Sequence, residues 1–157
     1  REDNHVTDST KYGPVVVGVD GSEVSQKATA YAFREAQARG AALIAVHTWM
    51  DMQVQASLAG LSAAQSEWAD IEKEQSELLT ENLKEPREEY PEVEVKKLIT
   101  RDRPVSALTE AAEGAQLLVV GSHGRGGFKG MLLGSTSRAL LQSAPCPMMV
   151  VRPDEES

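Results

Sequence analysis

The chain contains a single cysteine, Cys146, among 157 residues. An internal disulfide is therefore excluded, and the usage fits a reducing compartment. Aromatic residues make up only 4%, so any core has to be aliphatic. No apolar run approaches the ~18 residues that a membrane-spanning helix needs. The polar stretch from Arg1 to Tyr12 has no apolar signal-peptide segment. Basic charge is also scarce, with 16 Lys and Arg against 24 Asp and Glu and a formal net charge of −8. Such a chain lacks the electrostatic footprint of a general nucleic-acid or anionic-membrane binder. These absences together predict a cytoplasmic protein with no nucleic-acid and no membrane partner. An anionic ligand would have to be attracted locally, for example by the free amides at a helix start. The chain begins at Arg1 rather than Met, which leaves its natural start open.

What is present is the composition of a globular domain, 41% apolar and 25% charged. This length corresponds to one domain, enough to hide roughly two-thirds of the unfolded surface. The expected organisation is a flexible tail at residues 1–13, a domain at 14–153 and a short tail at 154–157.

Within the domain, apolar runs alternate with helical patterns. Val15-Val-Val-Gly-Val19 is continuous and β-branched, as a strand covered on both faces should be. Asp20-Gly21-Ser22 follows, with Ser22 as N-cap of a helix that stops at Gly40. Ala42–Thr48 is the second strand. After a long connection from Trp49 to about Ser62, Trp68, Ile71, Gln75, Leu78, Leu79 and Leu83 form one face of a long helix, which Pro86 is expected to end. Val93–Ile99 alternates apolar with polar residues, as an exposed edge strand does. Pro104 sits at a helix N1 position, with Val105, Leu108 and Ala112 as the buried stripe and Gly114 as the stop. Leu117–Val120 is another fully buried strand. A helix from about Gly134 to Gln142 and a strand at 147–151, with an edge-type proline first, complete the chain. The order β-α-β-α-β-α-β-α-β predicts an α/β fold, a doubly wound parallel sheet with helices on both faces.

In such sheets ligands bind beyond the carboxyl ends of the strands, where the winding reverses. Two features fall there: Asp20-Gly21-Ser22 directly after Val19 of strand one, and the glycine-rich segment from Gly121 to Ser135 directly after Val120 of strand four. If strands one and four are neighbours, these loops line one crevice. Six glycines occur in residues 121–134, a concentration that costs chain entropy without a compensating role. Gly121 and Gly124 permit positive φ and let a ligand approach the backbone closely. Gly134 and Ser135 open the last helix, whose unpaired amides and dipole suit phosphate. Ser135 and Thr136 add hydroxyls, and Arg125 adds a cation. The competing reading is a glycine-rich surface turn with Ser135 as a simple cap. Common nucleotide motifs do not fit: Lys129 occupies the third glycine of a G-x-G-x-x-G, and no Gly-Lys pair of a Walker A loop occurs.

Gly121-x-x-Gly124, nine residues from Arg125 to Leu133, then Gly134-Ser135 resembles the ATP-binding signature of the universal stress protein family. The opening Val16-Val-Gly-Val-Asp-Gly-Ser22, the Arg101-Asp-Arg-Pro104 turn and the closing Ala144-Pro-Cys-Pro147 extend the resemblance from about Tyr12 to Pro153, in the style of actinobacterial members. The resemblance implies a five-stranded sheet of order 3-2-1-4-5, of the adenine nucleotide alpha hydrolase-like type. It implies ATP between strands one and four, with AMP or ADP as alternatives, and Mg²⁺ or Mn²⁺ held through the phosphates. By position, Asp20 would meet ribose or phosphate, Thr48 would lie by the adenine, and Gly121, Gly124, Gly134, Ser135 and Thr136 would hold ribose and phosphates. Val19, Gly21, Ser22, Val120, Arg125 and Ser137 belong to the same two segments, and Ser122 and His123 fill the variable signature positions. It also implies a homodimer through the edge strand 147–151, and a regulatory or protective role in the stress response with a protein partner whose identity the sequence does not carry.

Catalysis is less well supported by the residues. Adjacent Ser122 and His123 seldom point at each other, and no triad acid is apparent. Asp20 is read either as a ligand-binding or as a turn-forming residue. His47, within a strand, is read as packed or hydrogen-bonded, and three scattered histidines with one cysteine do not make a zinc site. Cys146 is read as a buried or half-buried residue without a redox role. Trp49, Met50 and Met52 either cover the adenine or pack on the core. The alternatives to a nucleotide-binding regulator are a slow ATPase or nucleotidyl- or phosphotransferase, and a nucleotide-independent interaction module.

Overall fold

The computed structural model describes residues 13–48, 65–100, 103–122 and 134–153, and only the backbone of residues 65–68. Nine elements alternate along the chain. They are β1 (Val15–Gly18), α1 (Glu23–Arg39), β2 (Leu43–Thr48), α2 (Gln65–Glu89), β3 (Val95–Thr100), α3 (Pro104–Ala112), β4 (Leu117–Gly121), α4 (Ser135–Ser143) and β5 (Met148–Val151). The five strands form one sheet in the order β3-β2-β1-β4-β5, parallel throughout. Both the fold class and the strand order match the sequence-based expectation.

The local chemistry explains the elements. Val15, Val16 and Val17 are fully buried, because a central strand with helices on both faces has no solvent side. Ser22 is extended at the N-cap of α1 and accepts from Ser25 N. Gly40 ends that helix at φ 65°, its N–H reaching Ala36 O and Gln37 O, a left-handed stop that glycine adopts without a Cβ penalty. Successive residues of β1 divide between two cores, as the strand period of two requires. Val15, Val17 and Val19 pack with Phe33 of α1 and with Leu79 and Leu83 of α2. Val16 packs with Leu108 of α3 and Leu140 of α4. Phe33 also stacks on Tyr90, ring centroids 6.3 Å apart.

The two edges differ. β3 exposes Lys96, Lys97 and Leu98, and Lys97 Nζ donates to Thr80 Oγ1 of α2 at 2.6 Å. Charged edge residues of this kind discourage further strand pairing. β5 carries Met148-Met149-Val150-Val151, with no charge.

Two expectations are corrected. Pro86 does not end α2, which runs on to Glu89. Proline loses its own N–H bond and crowds the carbonyl four residues back, but its φ remains helical, and Tyr90 N closes the last turn on Pro86 O at 2.8 Å. Leu78 does not belong to the buried face of α2: it is 50% exposed beside a Leu79 that is 1% exposed. The buried face is centred on Gln75, Leu79 and Leu83, and one residue step turns the helix by about 100°. Gly121 is not at positive φ; among the described residues only Gly13, Gly21, Gly40 and Gly114 are. It still lies in the ladder, paired with Val151, and so keeps extended backbone. The connection from Trp49 to Ser62 and the Trp68 side chain lie outside the described residues.

Candidate functional site

β1 and β4 are neighbours, with Val15 opposite Leu117 and Val17 opposite Val119. From β1 the chain passes through α1 to β2 on one side, and from β4 through α4 to β5 on the other. The winding reverses between them, so their two carboxyl-end loops flank one crevice. The condition on which the sequence reading depended is met.

The β1 loop is held by its own short polar groups. Val19 N donates to Val46 O at 2.8 Å, continuing the β1–β2 ladder by one bond. Asp20 N donates to Ser25 Oγ at 3.2 Å. Ser22 N donates to Asp20 Oδ1 at 2.9 Å, so the carboxylate closes the turn that it also presents to the crevice. Gly21 sits at φ 85°, the left-handed geometry that makes glycine the natural residue there. Ser22 Oγ accepts from Ser25 N at 3.2 Å. Ser25 was not singled out from sequence, yet its buried hydroxyl takes the Asp20 amide. Its only signal is a hydroxyl three residues after the cap.

The second loop starts and returns at one place. Ser122 and Gly134 bound residues 123–133, and Gly134 N donates to Ser122 O at 2.6 Å. Ser122 is fully buried, and its N–H donates to Val151 O of β5 at 2.7 Å. Ser137 Oγ donates to Gly121 O at 2.6 Å, tying the first turn of α4 to the end of β4. Gly134, Ser135, Thr136 and Ser137 are thereby tied to Gly121 and Ser122 at the end of β4, and Val19, Asp20, Gly21 and Ser22 follow its paired neighbour β1. Ser135 is exposed, Thr136 half-buried and Ser137 buried. Thr48 ends β2 on the other side of β1, opposite Thr100. His123, Gly124 and Arg125 lie outside the described residues.

The two helix starts in this region are electrostatically unlike. α1 is capped by Ser22 and carries Glu23 in its first turn. α4 begins after Gly134, with no side-chain cap and no acidic residue in its first turn. Its first amides and the positive end of its dipole are thus not offset by a carboxylate of the helix itself, which is what an anion requires.

His47 and Cys146 are placed much as the sequence suggested. His47 is buried and hydrogen-bonded, its Nδ1 2.8 Å from Val19 O. Cys146 is partly buried before β5 and packs against the α3–α4 core. Burial pushes its thiol above the ordinary cysteine range, which lowers its reactivity as a thiolate. Among the described residues no cluster of three or more His, Cys, Asp or Glu side chains is arranged to hold a metal ion. No described helix is long and apolar enough to cross a membrane.

Comparison with known proteins agrees with this fold. Residues 11–152 match the model of the universal stress protein family. A universal stress protein of Mycobacterium tuberculosis is 46% identical over 152 residues, 97% of this chain and 50% of that protein. The chain thus spans about half the length of the curated relatives it matches. Among solved structures, a universal stress protein in complex with cAMP is 25% identical, with a TM-score of 0.60 over 90% of this chain and 98% of that one. The universal stress protein of Archaeoglobus fulgidus in complex with dAMP is 23% identical, with a TM-score of 0.63 over 90% of this chain and 98% of that one; at that identity the likeness shows the fold.

Proposed function

The chain belongs to the universal stress protein family, and from that premise we propose that it binds an adenine nucleotide, foremost ATP, in the crevice between β1 and β4. The observation that carries this reading is the start of α4, which has neither cap nor carboxylate and opens beside the Asp20 turn on the neighbouring strand. Phosphates belong at the Ser135, Thr136 and Ser137 amides, where backbone donors and the dipole act together. Gly121, Ser122 and Gly134 form the adjoining floor, and Asp20 reaches the ribose or the phosphates. Thr48 and Val19 flank the adenine. His123, Gly124 and Arg125 complete the phosphate loop by their position in the signature. The family neighbour solved with cAMP supports the same base and sugar. Mg²⁺ or Mn²⁺ would neutralise the triphosphate and be held mainly by its oxygens, with Asp20 the nearest carboxylate of the two loops.

The protein holds its nucleotide rather than spending it. Asp20 is engaged in its own turn by Ser22 N, and a regulatory or protective role follows if ligand state alters a partner contact. The uncharged edge strand β5, opposite the lysine-bearing edge at β3, is the surface for a homodimer. Sedimentation across a dilution series is expected to show that dimer; a monomer at every concentration removes it.

The binding claim has a direct test. Denaturing the purified protein is expected to release an adenine nucleotide detectable by mass spectrometry. ATP at about 100 times its Kd is expected to add roughly 2.7 kcal/mol of stability, a rise of about 5–10 °C in Tm for a domain of this size. No bound nucleotide, and no shift with ATP, ADP or AMP, overturns the reading.

A further inference from the structure

We propose that His47 is the positioning residue of the β1 ligand loop: its ring holds the Val19 carbonyl and so sets where the chain leaves the sheet and where Asp20 points. The inference builds on the nucleotide reading of the crevice, but its geometry is independent of any ligand.

The ladder between β1 and β2 arrives at Val19, whose N–H still donates to Val46 O. The next group along the chain is the Val19 carbonyl, the last backbone acceptor before the loop. His47 Nδ1 lies 2.8 Å from it. A carbonyl only accepts, so Nδ1 must carry the proton. This excludes the neutral Nε2–H tautomer, whose bare Nδ1 would face the carbonyl oxygen. The second nitrogen, Nε2, lies 2.7 Å from the side-chain amide oxygen of Gln75 on α2. A primary amide accepts in one orientation and donates in the other, so Gln75 can serve the ring in either charge state. Both His47 and Gln75 are buried, where a lost partner is not readily replaced by water.

One hydrogen-bonded line therefore runs from α2, through β2, to the residue before Asp20. The next two contacts continue it: Asp20 N on Ser25 Oγ and Ser22 N on Asp20 Oδ1. Without the ring proton, the Val19–Asp20 peptide keeps its N–H bond to Ser25 Oγ but loses the one at its carbonyl, so Asp20 is less firmly oriented. Position 47 then acts on ligand affinity without belonging to the phosphate cradle.

The test uses the full chain with His47→Phe, which keeps a ring but no donor, and His47→Asn, whose amide can donate from close to the Nδ1 position. In His47→Phe, ATP is expected to bind roughly tenfold more weakly, and amide exchange at Asp20 and Gly21 is expected to quicken while Val16 and Val17 stay protected. His47→Asn is expected to recover most of both effects, which a residue acting only as core filler would not show. Nitrogen-15 NMR of the wild-type ring is expected to show a protonated Nδ1. A neutral Nε2–H tautomer, or a folded His47→Phe protein with wild-type ATP affinity and wild-type loop exchange, overturns the proposal. Should His47→Phe not fold, the wild-type tautomer and the His47→Asn protein decide the matter. Should the wild-type protein bind no nucleotide, the functional reading fails, while the tautomer and the loop exchange still decide the role of His47.

Discussion

Replacing Ser135 by Glu is expected to weaken ATP binding by at least tenfold while making the fold slightly more stable. The two effects have opposite signs at one position for a single electrostatic reason. Ser135 is the first residue of α4, it is exposed, and no acidic residue occupies that turn. A carboxylate there meets the positive end of the helix and favours it by about 0.3–1 kcal/mol. The same carboxylate stands where the phosphates would have to sit, and it both occupies the amides and repels the ligand. A tenfold loss corresponds to about 1.4 kcal/mol, well within what a like charge at contact range exerts in a partly desolvated crevice. Titration calorimetry with ATP and urea denaturation of the same variant read the two quantities separately. Unchanged affinity in Ser135→Glu would remove the phosphate from the start of α4. Loss of both affinity and stability would mean that the substitution damaged the helix rather than the site.

Leu79→Ala is expected to cost about 2–5 kcal/mol of stability, whereas Leu78→Ala, one residue earlier, is expected to cost less than about 0.5 kcal/mol. Leu79 is 1% exposed and packs between α2 and the sheet, while Leu78 is 50% exposed. Truncating Leu79 removes apolar contact and leaves a cavity that a close-packed interior fills poorly. Truncating Leu78 uncovers little that was not already wet, and alanine favours the helix slightly. Against a total stability of about 5–15 kcal/mol, the Leu79 loss lowers Tm by something on the order of 10 °C. Urea unfolding of the two variants side by side checks it, and equal losses would show that the helix face has been placed wrongly.

That pair of leucines marks where reading from sequence stops. Spacing at 71, 75, 79 and 83, apolar except for Gln75, announces a helix and roughly one face, but it does not say where the neighbours lie. The sheet and α1 cover the side bearing Leu79 and Leu83, and Leu78 falls just outside it. Pro86 is a similar case. The missing N–H is legible in the sequence, but whether one lost bond ends a helix depends on the turns that follow. Here Tyr90 closes on Pro86 O, and the helix continues to Glu89.

The glycine-rich segment divides the same way. Its spacing from Gly121 to Ser135 was enough to indicate a phosphate-binding loop and to resemble a family, because glycine and helix-start chemistry are local. The backbone conformation of Gly121 is not legible there, since pairing with Val151 keeps that residue extended, and pairing partners are not local. The strands and their alternation with helices follow from runs of β-branched residues and from caps such as Ser22 and Gly40, all acting within a few residues along the chain. Only the folded sheet decides that β1 and β4 lie side by side, that Ser137 reaches back to Gly121 O, and that His47 comes to hold the Val19 carbonyl. Each of these joins groups distant in sequence, through hydrogen bonds and packing that exist only once the chain has closed on itself.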